Sequence, residues 1–197
     1  MSGIARFTIA TAVGALVVGS LAFAAEPAAK HQYIGTEACG VCHKRDATGN
    51  QLGAWQASKH AKAYATLATP EAAAIAKKKG IAGSPQQAPQ CLKCHVTAYG
   101  VDAAGIAAPA AGKKGFSMED GVQCEACHGP GSDYKARTVM KDQAAAVAAG
   151  LIIPKKEQCV ACHNAESPTW DAAKGFNFEE MVKKVAHPNP AKGGAEG

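Results

Sequence analysis

Residues 124–128 read CEACH, and the same shape returns as CGVCH at 39–43, CLKCH at 91–95 and CVACH at 159–163. These four stretches hold all 8 cysteines of the chain. Three chemistries use paired cysteines. Disulfides are one, since exported proteins form them and the count is even; but bridges between cysteines so close in sequence would staple almost nothing. Zinc is another: Cys39/Cys42 with Cys91/Cys94, and Cys124/Cys127 with Cys159/Cys162, would make two Cys₄ sites. The third is c-type haem, where both cysteines form thioethers to the porphyrin and the adjoining histidine ligates the iron. The histidine decides. With 7 His in 197 residues, a chance histidine after all four pairs has a probability on the order of 10⁻⁶, and neither zinc nor disulfides call for it.

The spacing has a physical reason. Two cysteines three positions apart reach two vinyl groups on one porphyrin edge, and the next residue projects its imidazole over the ring plane. Cys39, Cys42, Cys91, Cys94, Cys124, Cys127, Cys159 and Cys162 are therefore expected to carry four covalent haems. His43, His95, His128 and His163 are the expected proximal iron ligands.

The N-terminus speaks to compartment. One early cation, Arg6, precedes an apolar run of 15 residues from Phe7 to Leu21, and Ala22-Phe23-Ala24 closes it in the small-x-small pattern of a signal-peptidase site. That run is shorter than the roughly 20 residues of a spanning helix. Residues 1–24 read as a cleaved export signal, which makes the protein periplasmic or extracellular and matches haem attachment outside the cytoplasm. The remaining 173 of the 197 residues divide into one tetrahaem domain, 25–190, and a disordered tail, 191–197. No later stretch is apolar enough to span a bilayer, so no stable membrane insertion is expected.

The apolar fraction is 47%, but much of it is alanine, which buries little area. Leu, Ile, Phe and Trp are sparse, so an ordinary core is out of reach and another source of apolar surface is needed. Four haems in so short a chain would supply it. The formal charge is +5, or +4 once Arg6 is removed. The lysines sit in short runs (77–79, 113–114, 155–156, 183–184) without aromatic interleaving, which argues against a nucleic-acid surface.

Three histidines remain after the four motifs: His31, His60 and His187. Four bis-histidine irons would need four distal ligands, so at least one iron is five-coordinate, takes another side chain, or borrows a histidine from a second molecule. His60 lies in LGAWQASKHAKAYATL, whose Leu52, Trp55, Ala63 and Leu67 share a helical face. His187 ends FNFEEMVKKVAH, a helix pattern with Asn177 as N-cap, Glu180 at N3 and Pro188 as the stop. His31 precedes any recognisable element. Met118, Met140 and Met181 are the alternatives to histidine. Elsewhere Thr69 and Pro70 should open a helix that stops at Gly80, VMKDQAAAVAAG should be helical, and the rest reads as loops without a strand pattern. The spacings between first cysteines, 52, 33 and 35 residues, are too irregular for a solenoid.

The stretches YIGTEACGVCHK, WQASKHAKAYATL, CLKCHVTAYG, DGVQCEACHGPGS, CVACHNAESPTW and FNFEEMVKKVAH together resemble the tetrahaem cytochrome c-554 family, in that order over most of residues 33–187. DGVQCEACHGPG and SKHAKA are the specific parts. The resemblance implies a mainly α fold: a small multihaem cytochrome with four covalent c-type haems forming the core, irregular loops and little or no β structure. It implies three bis-histidine haems and one five-coordinate haem, the second, at His95. By position it assigns His60 as the distal ligand of the third haem (His128) and His187 as that of the fourth (His163). It also implies a distal histidine after CHGPGS, where DYKARTVMKDQAAAV has none; His31 is the one left, for its own first haem or for a neighbouring subunit.

The expected function is single-electron transfer between redox partner proteins through closely packed haems. Two alternatives accompany it. One is binding or reduction of nitric oxide or a similar nitrogen oxide at the open second haem, with Asp102, Tyr99 or Lys93 as candidate proton donors. The other is a homo-oligomer or filament acting as an extracellular haem wire.

Overall fold

The computed structural model describes residues 31–187, 189 and 190. The expected export signal, the expected tail and Pro188 lie outside these residues. Ten short α-helices follow one another: α1 Thr36–His43, α2 Gln51–Ala57, α3 Ala63–Thr66, α4 Pro70–Lys78, α5 Pro89–His95, α6 Cys124–His128, α7 Arg137–Met140, α8 Gln143–Ala148, α9 Lys156–Val160 and α10 Phe178–Val182. Among the described residues the only β pairing is an isolated parallel bridge between Tyr33 and Ile106. Helices this short are marginal alone; caps and tertiary contacts hold them.

Local chemistry explains most of the boundaries. Thr69 accepts from Ala72 N–H, Pro70 occupies the first helical position, and Gly80 follows with φ of 70°, so α4 begins and ends as the sequence predicts. Asn177 caps α10 by accepting from Glu180 N–H at 3.3 Å. Asp142 caps α8 through Ala145 N–H at 3.1 Å, which divides the expected alanine-rich helix into α7 and α8.

Two expected helices are shorter than their patterns. The stretch around His60 breaks at Ser58, whose backbone is extended, and His60 sits in the turn between α2 and α3. The break has a cause: the His60 carbonyl accepts from Val122 N–H at 3.0 Å, and Trp55 Nε1 donates to the Val122 carbonyl at 2.7 Å. The entry to the third motif thus takes over backbone groups that a continuous helix would have used internally. Likewise α10 ends at Val182, and turns carry the chain on to His187.

Aliphatic packing is sparse. Among the described residues, the buried Leu, Ile, Val or aromatic side chains are Ile34, Leu67, Val96 and Tyr134. The largest fully buried side chains are polar, Gln123 and Glu125. Glu125 lies inside the third motif, and its carboxylate accepts from Ile34 N–H at 2.9 Å, Gly35 N–H at 2.8 Å and Gly131 N–H at 2.7 Å. One side chain thereby joins the residues just before α1 to the loop just after α6. Gly121, at φ of 74°, lets the His60 carbonyl approach: a Cβ there would lie 2.7 Å from that oxygen.

Replacing Glu125 by Ala strands three backbone N–H groups, each costing about 1–3 kcal/mol when buried without a partner. The haem-loaded variant should lose about 3 kcal/mol or more in guanidinium unfolding. Gly121→Ala should cost about 1–3 kcal/mol from the positive φ alone, with the clash against His60 added.

Candidate haem sites

The first three motifs lie on helices α1, α5 and α6, and the fourth begins on α9 and finishes in the following turn. No disulfide joins any of the eight cysteines. Their neighbours come from other motifs. Cys39 is within hydrogen-bonding reach of Cys124, and Cys94 within reach of Cys162. Cys127 is electrostatically close to Cys159. Burial, with Cys94 beside it, pushes the Cys162 thiol up to about 12. The closeness of the half-buried Cys39 and Cys124 thiols raises the pKa of the first and lowers that of the second. The four motifs are therefore arranged first, third, fourth, second. Of the two Cys₄ zinc sites weighed above, the one that joins the first motif to the second is ruled out, since those motifs stand at opposite ends of this order. Among the described residues, no group of three or more His, Cys, Asp or Glu is arranged to hold a metal alone.

The histidine rings are oriented by oxygen acceptors. Nδ1 of His43 lies 3.0 Å from Gln51 Oε1, Nδ1 of His95 lies 2.8 Å from the Ala63 carbonyl, and Nδ1 of His128 lies 3.1 Å from the Ile152 carbonyl. An acceptor at Nδ1 fixes the proton there and leaves the Nε2 lone pair for a metal. His163 instead stacks on Phe176, ring centres 5.4 Å apart. Burial holds the pKa of His60, His128 and His187 below the ordinary imidazole value, which favours the neutral form that ligates iron.

Two histidine pairs face each other. The ring centres of His60 and His163 are 6.1 Å apart, and those of His128 and His187 are 5.9 Å apart. Two imidazoles on opposite sides of one metal, each with a bond of about 2 Å and about 1 Å more to the ring centre, are spaced by roughly 6 Å. The residues present thus fit an iron held between each pair. His187 Nδ1 is buried with no hydrogen-bond partner, an orphan polar atom in a ring otherwise placed as a ligand. Among the described residues, His43 and His95 face no second histidine at this spacing.

The pairing corrects the expectation from resemblance, which set His60 with His128 and His187 with His163. The backbone of the His60 turn is bonded at Val122 beside the third motif, yet its ring passes that motif and faces His163. The segment after α10 returns to the third motif, and its ring faces His128. Positional assignment along the chain could not see this exchange, because the turn's backbone and its side chain serve different motifs.

The remaining candidates are occupied otherwise. Asp102 caps a 3-10 turn by accepting from Gly105 N–H at 3.0 Å. Lys93 forms an ion pair with Glu166, tying α5 to the segment after the fourth motif. Tyr99, Met118 and Met140 are exposed, and Met181 lies against the Lys184 ammonium. His31 lies apart from the rings above, with Nδ1 2.8 Å from Asp133 Oδ2. Gln51, Glu125 and Asp133 escaped the sequence reading; only Glu125 left a trace, as a charge inside an otherwise apolar motif. No helix among the described residues is long and apolar enough to cross a membrane.

Comparison with known proteins agrees with the fold. The family model described as "Cytochrome c554 and c-prime" matches residues 38–129. Cytochrome c-554 of Nitrosomonas europaea is 29% identical over 216 residues, covering 91% of this chain and 84% of that relative. The solved structure of reduced cytochrome c554 from the same organism superposes with a TM-score of 0.56 at 26% identity, over 80% of this chain and 84% of the other. With its mainly helical fold, its four Cys-x-x-Cys-His motifs and its facing histidines, the chain is similar to cytochrome c554 and is a c-type cytochrome, an electron carrier with covalently bound haem.

Proposed function

We propose that this chain is an exported tetrahaem electron carrier that relays single electrons between redox partner proteins in the order first, third, fourth, second site. The observation that carries the reading is the two pairs of facing histidines, at 6.1 and 5.9 Å. The order follows from the cysteine neighbours: Cys39 beside Cys124, Cys127 beside Cys159, Cys162 beside Cys94.

The residues divide the work. The cysteine pairs Cys39/Cys42, Cys91/Cys94, Cys124/Cys127 and Cys159/Cys162 hold the haems by thioethers. His43, His95, His128 and His163 are the proximal ligands, and His187 and His60 are the distal ligands opposite His128 and His163. Haem, when bound, supplies a one-electron Fe(III)/Fe(II) couple. Gln51, the Ala63 carbonyl and the Ile152 carbonyl keep three proximal rings in the tautomer that presents Nε2. Glu125 and the Lys93–Glu166 pair keep motifs distant in sequence next to one another. An iron with histidine on both faces has no vacant position, so those two sites relay electrons and bind no substrate. The N-terminal signal pattern, 1–24, supports a periplasmic or extracellular location. Neither nitrogen-oxide chemistry at His95 nor assembly into a wire is favoured by a specific observation here.

Each distal assignment is separable by spin state. His60→Ala should convert one low-spin haem to high spin, and so should His187→Ala. In a Cys159→Ala/Cys162→Ala background, which lacks the fourth haem, His60→Ala should have no further effect while His187→Ala still does. The reverse result would restore the pairing implied by position. Covalent attachment is tested by haem staining of denatured protein: signal should fall by about a quarter for each motif removed, and an unstained wild-type band would falsify the electron-carrier reading itself.

A further inference from the structure

Among the described residues, the one buried charged side chain is Glu125, 2% exposed, and it stands inside a Cys-x-x-Cys-His motif. Each hydrogen bond of its carboxylate comes from a backbone N–H. Oε1 accepts from Ile34 at 2.9 Å and from Gly131 at 2.7 Å, and Oε2 accepts from Gly35 at 2.8 Å. None of these partners could accept a carboxyl proton, so the donor set suits the ionised form. Burial pushes the Glu125 pKa up, while the three N–H groups and the Lys135 ammonium draw it down.

Two attachment motifs adjoin this carboxylate. On one side, Glu125 follows Cys124 directly in the chain. On the other, Gly35 gives its N–H to Glu125, and its carbonyl lies 3.6 Å from Cys39 Sγ. The groups facing the carboxylate are the Cys39 and Cys124 thiols, Tyr33, Tyr134 and Lys135. Tyr134 donates its hydroxyl proton to the Gly129 carbonyl at 2.7 Å. Lys135 is exposed, so water screens the cation that opposes Glu125. The other two motifs have no such neighbour: Glu157 and Glu166 beside the fourth and Asp102 after the second are all exposed, and Glu166 is paired with Lys93.

We propose, on the electron-carrier reading above, that Glu125 sets the redox potentials of the first and third haems together, holding both lower than they would stand without its charge. The physical reason is Coulombic. An oxidised haem core carries one more positive charge than a reduced one, and a fixed anion away from water favours the more positive state. Glu125 itself exchanges neither an electron nor a proton. Because the charge is shared by two adjoining members of the relay, it moves both in step. The step between the first and third sites is left nearly level, and the drive from the third site toward the fourth is increased. The residue that clamps the two motifs together thus also matches their potentials.

The test uses the haem-loaded protein. Haem staining comes first, so that failure of the electron-carrier reading shows as an unstained wild-type band, apart from any result on potentials. Spectroelectrochemical titration then follows the four one-electron potentials. Glu125→Gln keeps the size of the side chain and removes its charge, so two potentials should rise together while the other two hold. His187→Ala and His60→Ala mark the third and fourth haems by the potentials they move; the third should be one of the two that rise, and the fourth should not. A purely structural clamp predicts the opposite sign, because a loosened and more hydrated site favours the charged Fe(III) core and its potential falls. Where Glu125→Gln fails to hold its haems, Lys135→Gln decides. Removing that exposed cation leaves the carboxylate less opposed, so the same two potentials should fall at low ionic strength, and the difference from wild type should shrink as salt is added. Unchanged or lowered potentials in Glu125→Gln, a rise confined to one haem, or a uniform rise of all four would overturn the shared role. So would the absence of a low-salt shift in Lys135→Gln where the first variant does not hold haem.

Discussion

Three backbone N–H groups, from Ile34, Gly35 and Gly131, converge on one buried carboxylate, that of Glu125. Much of the architecture depends on that convergence. Residues 34 and 35 lead into α1 and the first motif; residue 131 leaves the third; Glu125 itself stands inside the third. A carboxylate accepts several donors at once, and such charge-assisted bonds are stronger than neutral ones, so one side chain can fix two distant segments against each other. Burial pushes its pKa up while the three N–H groups oppose that. The juxtaposition of Cys39 with Cys124 follows from this clamp.

A clamp of this kind is needed because the chain lacks an ordinary core. Its alanines make short capped helices, yet Ile34, Leu67, Val96 and Tyr134 are too few to pack ten of them together. Hydrophobic burial normally outweighs the conformational entropy of ordering a chain. Here polar links between motifs set the arrangement, and covalently bound porphyrin supplies the apolar mass around which the helices close. The protein and its cofactor are therefore a single folding problem.

The same economy shapes the electron path. Contact between motifs follows space and not chain order, so the relay order proposed above differs from the order in the sequence. Each facing histidine comes from whichever segment passes the motif. The turn bearing His60 illustrates how this arises: Trp55 and the His60 carbonyl bond to Val122 at the third motif, and the side chain is then directed at His163.

The sequence by itself pointed to the cofactor and to four Cys-x-x-Cys-His motifs as the places proposed to hold it, because thioether attachment and axial ligation require fixed residue types at fixed local spacing. It also determined the helix starts at Thr69 and Asn177, where a cap acts within three residues. Only the tertiary structure decided which distal histidine faces which motif, where the helices around His60 and His187 end, and which carboxylates serve as Glu125 and Asp133 do. Those outcomes depend on contacts between residues 59 to 103 positions apart in the chain. No local pattern encodes them; they are settled when distant backbone donors find their acceptors.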